Sequence, residues 1–394
     1  MISLPPEVLM ASKKLDEAGY ENYLVGGALR DALLGRKTRD YDLATSAKPQ
    51  QVRKLFKKQP LSLSGQKHGT VAIYYPNLHI DITTFRTEGS YSDFRHPDQV
   101  NYVTDIKEDL ARRDFTINAM AYHPQKGLLD PYGGQSDLDH KIIRAVRDPF
   151  TRMGEDALRI LRGLRFAATL SFDIEPDTAR AMHAQAELLS RIAKERITME
   201  LEGLFAQEEI ARTIADYPDV FRTLVPGLDF RAFVRSCEYP CAERLLRFLL
   251  LRTYSISKQS FYQAFKLSKK DQNTLELCYT NRHRLLQKEA TLLQWLTIDL
   301  RDKLPLFFHY CLADASKGEF RTIKSVWKFY EGLDKTDWVI DLSDLAIRGQ
   351  DLLDLGLQGE EIGHCLIEAF TAVVNGYCEN EKEKLLQYLS PQYK

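Results

Sequence analysis

Apolar positions along the chain change their period near residue 145. Before that point short β-type runs alternate with helical stretches, punctuated by Gly, Pro and Asn. Tyr23-Leu24-Val25 leads into Gly26-Gly27, after which Ala28 to Leu34 reads as a helix stopped by Gly35. Val71 to Tyr75, the turn Pro76-Asn77 and the run His79 to Phe85 read as a hairpin. Beyond Asp148 strand signals thin out. Ala157, Ile160, Leu161, Leu164 and Ala168 recur at i, i+3, i+4, i+7 and i+11, and Ile362, Cys365, Leu366, Ala369, Phe370 and Val373 form a second stripe. Cys365 within that stripe reads as a core residue rather than a metal ligand beside His364. The expectation is an α+β N-terminal domain followed by an all-helical remainder.

Composition narrows the class. At 394 residues the chain should form two to four structural units. It is 44% hydrophobic and 28% charged, with no run near the ~18–20 apolar residues that a membrane span needs. The start MISLPPEVLM lacks a basic region followed by an apolar one, so no secretory leader is expected. Six cysteines lie in the last 40% of the chain without a C-x-x-C pair, which fits reduced thiols in the cytoplasm. The net charge of −1 argues on its face against nucleic acid. Locally it misleads: residues 144–165 hold six arginines against three acids.

Candidate chemistry concentrates in four stretches. Gly26-Gly27 between a strand and a helix lets backbone N–H groups approach a phosphate, with Arg30 on the helix that follows. Alone, this is more often just a tight turn. Asp40-Tyr41-Asp42 changes its meaning, because residues two apart on a strand share a face and two converging carboxylates suit a divalent cation. Asp81, set between Ile80 and Ile82, points away from an apolar layer and supplies a third acid, or else a partner for a neighbouring base. Three carboxylates and two Mg²⁺ ions would position a hydroxyl and a triphosphate for in-line displacement. Arg113, Asp114 and Asn118, in DLARRDFTINAM, offer donors for triphosphate and acceptors for ribose, although Asp114 or Thr116 would also serve as a helix cap. In EDALRILRGLRF, helical spacing puts Glu155, Arg159 and Arg162 opposite the apolar stripe with Asp156 at its edge. That is either simple helix support or an Asp acceptor and Arg donor reading the edge of a base.

The ordered blocks LVGGALRD…RDYDLAT, HGTVAIYY…IDITTFR, DLARRDFTINAMAY, DPYGGQSDL, EDALRILRGLRFA and ERITMEL resemble the class II tRNA nucleotidyltransferases, the bacterial CCA-adding family within the poly(A) polymerase superfamily. LAIRGQDLLDLGLQGEEIGHCL resembles that family's tail. The resemblance implies a nucleotidyltransferase head over residues 1–147, a neck at 148–205, a body at 206–320 and a tail at 321–394, the last three helical. It implies metal binding by Asp40 and Asp42 with Asp81 as third acid, where a Glu is usual. Gly26, Gly27, Arg30, Arg113, Asp114 and Asn118 would hold the nucleotide and check its ribose. Asp156 and Arg159 would pair with the incoming base, supported by Glu155 and Arg162 and braced by Glu195-Arg196-Ile197. Residues 87–105 match the loop that the family uses in switching from C to A addition. The implied partners are CTP, ATP and the tRNA 3′ end, in the cytoplasm, with oligomeric state open.

Three departures stand out: His96 where a second Arg is common, Arg152-Met153-Gly154 for a more usual Arg-Phe-x, and Arg147 where Gly is frequent. An A-adding enzyme shares all these motifs. A CC-adding enzyme would have a shortened loop, a bacterial poly(A) polymerase a basic extension, and a non-catalytic RNA-binding relative would have lost the acids. Among basic residues of the helical region, Arg244, Arg247, Lys266, Lys269 and Lys270 read as a solvated face.

Overall fold

The computed structural model describes residues 2–66, 69–88, 100–285 and 289–390. Of the predicted switching segment, residues 87–105, positions 89–99 with His96 lie outside the described residues. Two compact units divide the chain, one formed by residues 1–230 with 262–266 and the other by 231–261 with 267–394.

The first unit opens with helix α1 (Pro6–Glu17), strand β1 (Asn22–Val25), helix α2 (Gly26–Leu33), strand β2 (Asp40–Thr45) and helix α3 (Pro49–Leu55). Strands β3 (Leu61–Ser62), β4 (Thr70–Tyr74) and β5 (His79–Thr84) follow, then β6 (Arg86–Glu88) and β7 (Val100–Tyr102) as a separate antiparallel pair. After α4 (Ile106–Ala111) come β8 (Ala121–His123), β9 (Gly127–Leu129) and α5 (Gly134–Asp139). The seven-stranded sheet runs β3-β4-β5-β2-β1-β8-β9, with β2 and β5 parallel and the other neighbours antiparallel. The predicted β4–β5 hairpin is present, with Ile73 opposite Ile80.

Period-2 alternation gives the sheet two unlike faces. Leu43, Val71, Ile73, Ile80 and Ile82 are at most 1% exposed, and α1 packs against β1 and β2 while α3 packs against β4 and β5. Asp42, Asp81, Thr70 and Thr83 point to the opposite face. That second face is only partly open, because Tyr23, Val25, Ala44, Phe85 and Leu110 form an apolar cluster of their own, and the polar stretch lies around Asp42 and Asp81.

Strand β10 (Ile142–Ile143) leads into α6 (Pro149–Glu155) and α7 (Leu158–Leu170). Strand β11 (Asp173–Ile174) pairs with β10, and α8 (Pro176–Ala184) and α9 (Lys194–Phe205) complete the elements that matter here. Ala157, Ile160, Leu161 and Leu164 of the predicted stripe are fully buried. The helix is not continuous, however. Asp156 is extended (φ −144°, ψ 100°) between α6 and α7, and its Oδ1 accepts from the Leu158 amide at 3.1 Å. Apolar spacing runs straight through this break because Ala157 keeps its place on the buried side. Arg147 has φ 61°, the left-handed region that glycine enters freely, which gives a physical reason for Gly to be frequent there. Its guanidinium lies over the Tyr132 ring, 5.8 Å from the centroid.

The second unit contains only helices among its described residues. The predicted C-terminal stripe lies on the helix Glu360–Val374, where Cys365 and Ala369 are fully buried beside Ile347, Leu352 and Leu385. Arg247 corrects the solvated-face reading: it is fully buried, and its Nη2 donates to the carbonyls of Tyr239 and Cys241 at 2.8 and 3.2 Å. No described helix is long and apolar enough to cross a membrane.

Candidate active site

A cleft of about 620 Å³ opens beside the polar face of the sheet. Its lining includes Gly26, Gly27, Arg30, Asp42, Arg113, Asp114, Asn118, Asp156, Arg159 and Arg162, residues spread over 137 positions of sequence. Asp40, Asp81 and Glu155, also singled out from sequence, do not line it.

The turn between β1 and α2 sets the first wall. Gly26 has φ 65°, and a Cβ there would sit 3.2 Å from Arg113 Nη1 and 3.5 Å from Asp42 Oδ2. Glycine thus allows both the left-handed turn and the close approach of an acid and a base. Arg30, on the first turns of α2, donates from Nη1 to Asn118 Oδ1 at 3.0 Å and from Nε to Asp31 at 2.9 Å.

The acids lie in register. Asp42 is the direct neighbour of Asp81 across the parallel β2–β5 pair, and Asp40 neighbours His79, whose Nδ1 is 3.2 Å from its Oδ1. Burial pushes the Asp42 carboxyl up to about 6, with the charges of Asp81 and Asp40 adding to the rise and Arg113 and His79 opposing it. Arg113 and His79 offset only part of the burial and of the acid–acid repulsion. A hard cation would offset the rest, and the oxygen-only donor set fits Mg²⁺. Among the described residues no three His, Cys, Asp or Glu side chains gather closely enough to enclose a metal by themselves. Two carboxylates with substrate phosphate oxygens and water would suffice.

Asp109 was not singled out from sequence, yet it organises the next wall. It is 1% exposed, and its two oxygens hold Arg112 (Nη2, 2.9 Å) and Arg113 (Nη2, 3.1 Å) while Oδ1 also accepts from the Arg86 amide at 3.3 Å. Burial raises its carboxyl, but Arg113 and Arg112 outweigh this and hold it below the usual range. Arg113 Nη1 reaches the Asn118 carbonyl at 3.2 Å. Asp114 accepts from the Phe115 amide (2.8 Å), Asn118 Nδ2 (3.3 Å) and Arg162 Nε (2.8 Å). Burial alone would raise this carboxyl. The Arg162 guanidinium, with help from Arg159 and the Phe115 amide, brings it down to about 2. Asp114 in turn raises Arg162 well above the ordinary arginine value.

The third wall comes from α6, α7 and α9. Arg159 is buried, although the helical spacing put it opposite the apolar stripe. Nη1 donates to Glu155 Oε2 (2.7 Å) and the Arg152 carbonyl (2.8 Å), and Nη2 to the Arg112 carbonyl (3.0 Å). Three of its five N–H groups are thereby committed, and Nε–H and one Nη2–H remain. Glu155 stands behind it, held also by Arg152. Asp156 accepts from Arg196 Nη2 at 2.7 Å, which is the brace expected of Glu195-Arg196-Ile197. Glu200, one turn on and also missed, accepts from Arg165 Nε (2.6 Å) and Arg162 Nη1 (3.3 Å). Its signal was present in ERITMEL, but nothing in the spacing ties it to two arginines on another helix.

Comparison with known proteins places this geometry. Residues 22–144 match the family described as Poly A polymerase head domain, and residues 171–229 match one described as Probable RNA and SrmB- binding site of polymerase A. The CCA-adding enzyme of Pediococcus pentosaceus is 33% identical over 388 residues, covering 95% of this chain and 94% of the relative. That of Geobacillus stearothermophilus is 33% identical over 413 residues, covering 98% and 97%. The crystal structure of the Bacillus stearothermophilus CCA-adding enzyme in complex with CTP superposes with a TM-score of 0.82 at 30% identity, covering 99% of this chain and 98% of that one.

Proposed function

The chain belongs to the CCA-adding enzymes, and on that premise we propose that it adds C, C and A to the tRNA 3′ end from CTP and ATP without a nucleic-acid template, releasing pyrophosphate. In this reading residues 1–147 are the catalytic head, 148–205 the base-recognising neck, 206–320 the body and 321–394 the tail. Free thiols at all six cysteines suit the cytoplasm, where tRNA and both nucleotides are met.

Asp42 and Asp40, with Asp81 beside them, would hold Mg²⁺, which when bound supplies charge neutralisation at the triphosphate and activation of the attacking hydroxyl. The Gly26-Gly27 turn and the start of α2 face the same cleft as Arg113, a combination suited to phosphate oxygens. Asp114 is held ionised by Arg162 and remains an acceptor for a ribose hydroxyl. Asn118, fixed between Arg30 and Asp114, orients that acceptor.

The observation that carries the reading is the preset pair Asp156–Arg159 in the cleft that holds Asp42. Asp156 presents an acceptor edge steadied by Arg196, and Arg159 presents two uncommitted donors on a guanidinium fixed by carbonyls. An acceptor beside donors is the pattern that reads a base edge. The test changes Arg159 to Ala and compares incorporation of CTP, ATP, GTP and UTP into tRNA lacking its 3′ end. Discrimination should fall while binding of triphosphate persists; unchanged discrimination sinks the templating role. Asp42→Ala should abolish metal-dependent addition on the same tRNA.

A further inference from the structure

The cleft reads the edge of a base with charged groups, but a base also has two flat apolar faces. An accessible apolar side chain is one way to cover them, beside a guanidinium plane or a neighbouring base. Five large apolar residues belong to the lining. Val25, Leu43, Leu158 and Phe166 are at most 6% exposed, being spent on the core. Met199 is 62% exposed.

Its position on α9 is fixed on both sides. Arg196, one turn earlier, is tied to Asp156 at 2.7 Å, and Glu200, the next residue, is tied to Arg162 and Arg165. Residues three apart on a helix share a face, so Met199 stands over the Asp156 side of the cleft. An exposed methionine surrounded by charge has no packing role in the free protein. Its unbranched thioether is polarizable and adapts to surfaces of different outline.

We propose that Met199 is a positioning residue, an apolar shelf on which a nucleobase lies while Asp156 and Arg159 read its edge. This rests on the nucleotidyl-transfer reading above. Because a thioether contacts the ring face and makes no directional bond, the shelf serves C and A alike and leaves discrimination to the charged pair. The base is that of the incoming nucleotide or the terminal base of the tRNA, and the experiment separates them.

Methionine oxidation by dilute hydrogen peroxide, followed peptide by peptide by mass spectrometry, reports the shelf directly. Met10, 67% exposed on α1 and absent from the cleft lining, is the internal reference. If the shelf takes the incoming base, saturating CTP slows Met199 oxidation relative to Met10, whereas tripolyphosphate, which has no base, does not. Slowing by tRNA ending before C74, but not by the same tRNA lacking its terminal nucleotide, assigns the shelf to the primer base. Equal oxidation in every arm, or slowing by tripolyphosphate, overturns the proposal. In kinetics Met199→Ala should raise KM for the substrate that protects by roughly three- to tenfold with kcat changed less than about twofold, and Met199→Leu should restore it. Unchanged KM for both substrates likewise overturns it. A wild-type protein that adds no nucleotide to tRNA would instead defeat the reading on which the proposal rests.

Discussion

Gly134→Ala offers a severe test of how the turn proposed to face the ribose is held. The position lies at the start of α5, sixteen residues beyond Asn118. A Cβ there would stand 2.2 Å from the Thr116 carbonyl oxygen and 2.9 Å from both the Thr116 carbonyl carbon and Met120 Cγ. Ordinary contact needs more than about 3.0–3.4 Å, so backbone must retreat by about 1 Å. Thr116 opens the short turn that carries Asn118, whose Oδ1 receives Arg30 at 3.0 Å and whose Nδ2 reaches Asp114 at 3.3 Å. A shift of that size takes both bonds out of range. Overpacking of this kind costs about 1–3 kcal/mol, or roughly 3–10 °C in Tm for a unit of this size. Misplacement by 1 Å at a reacting site costs about 100-fold in rate. The assay is kcat/KM for CTP and dCTP on tRNA ending before C74, alongside thermal unfolding. The expected result is a modest drop in Tm, a loss of about two orders of magnitude with CTP, and a smaller CTP-to-dCTP ratio. A variant with wild-type Tm and rate would refute the packing argument.

Two further outcomes follow from buried charge. Asp109→Asn keeps the shape but removes the counter-charge shared by Arg112 and Arg113, and should destabilise the first unit by about 3–5 kcal/mol in chemical denaturation while weakening triphosphate binding; a stability within experimental error of wild type would contradict the pairing. Asp114, held at about 2 in the folded chain against about 3.9 unfolded, adds stability that is complete above the unfolded value and is lost as pH falls toward 2. Unfolding free energy should therefore drop more steeply between pH 4 and 2 in wild type than in Asp114→Asn, by about 2 kcal/mol over the window. Parallel curves would show that this carboxyl does not contribute.

Most of the catalytic head could be read from local pattern. Alternation around Ile80, Asp81 and Ile82 put the acid on the correct face, and Gly26-Gly27 marked the strand-to-helix turn. What local pattern could not carry was which strands become neighbours. The parallel pairing that sets Asp42 beside Asp81 joins segments separated by α3, β3 and β4. The break at Asp156 was hidden for a different reason. Ala157, Ile160 and Leu161 preserve helical spacing on the buried side, so periodicity is blind to one extended residue whose side chain caps the next helix. Burial of Arg159 was equally hidden, because the carbonyls that receive it come from residues 112 and 152 rather than from a side-chain pattern. The arginine excess of residues 144–165 also changes meaning in three dimensions. Arg162 and Arg165 are answered by Asp114 and Glu200, and Arg144 by Asp137 and Glu175. Little of that local charge is left as a general attraction for RNA.

The anchoring of Arg159 has a consequence for how this protein tolerates drift. Two of its three ties end on main-chain oxygens, at Arg112 and Arg152, and a main-chain oxygen survives nearly every replacement of the side chain that it belongs to. Only Glu155 can be lost by a single codon change. The orientation of the proposed reading group is thus insulated from side-chain replacement at positions 112 and 152, and sequence there can diverge while the guanidinium keeps its place.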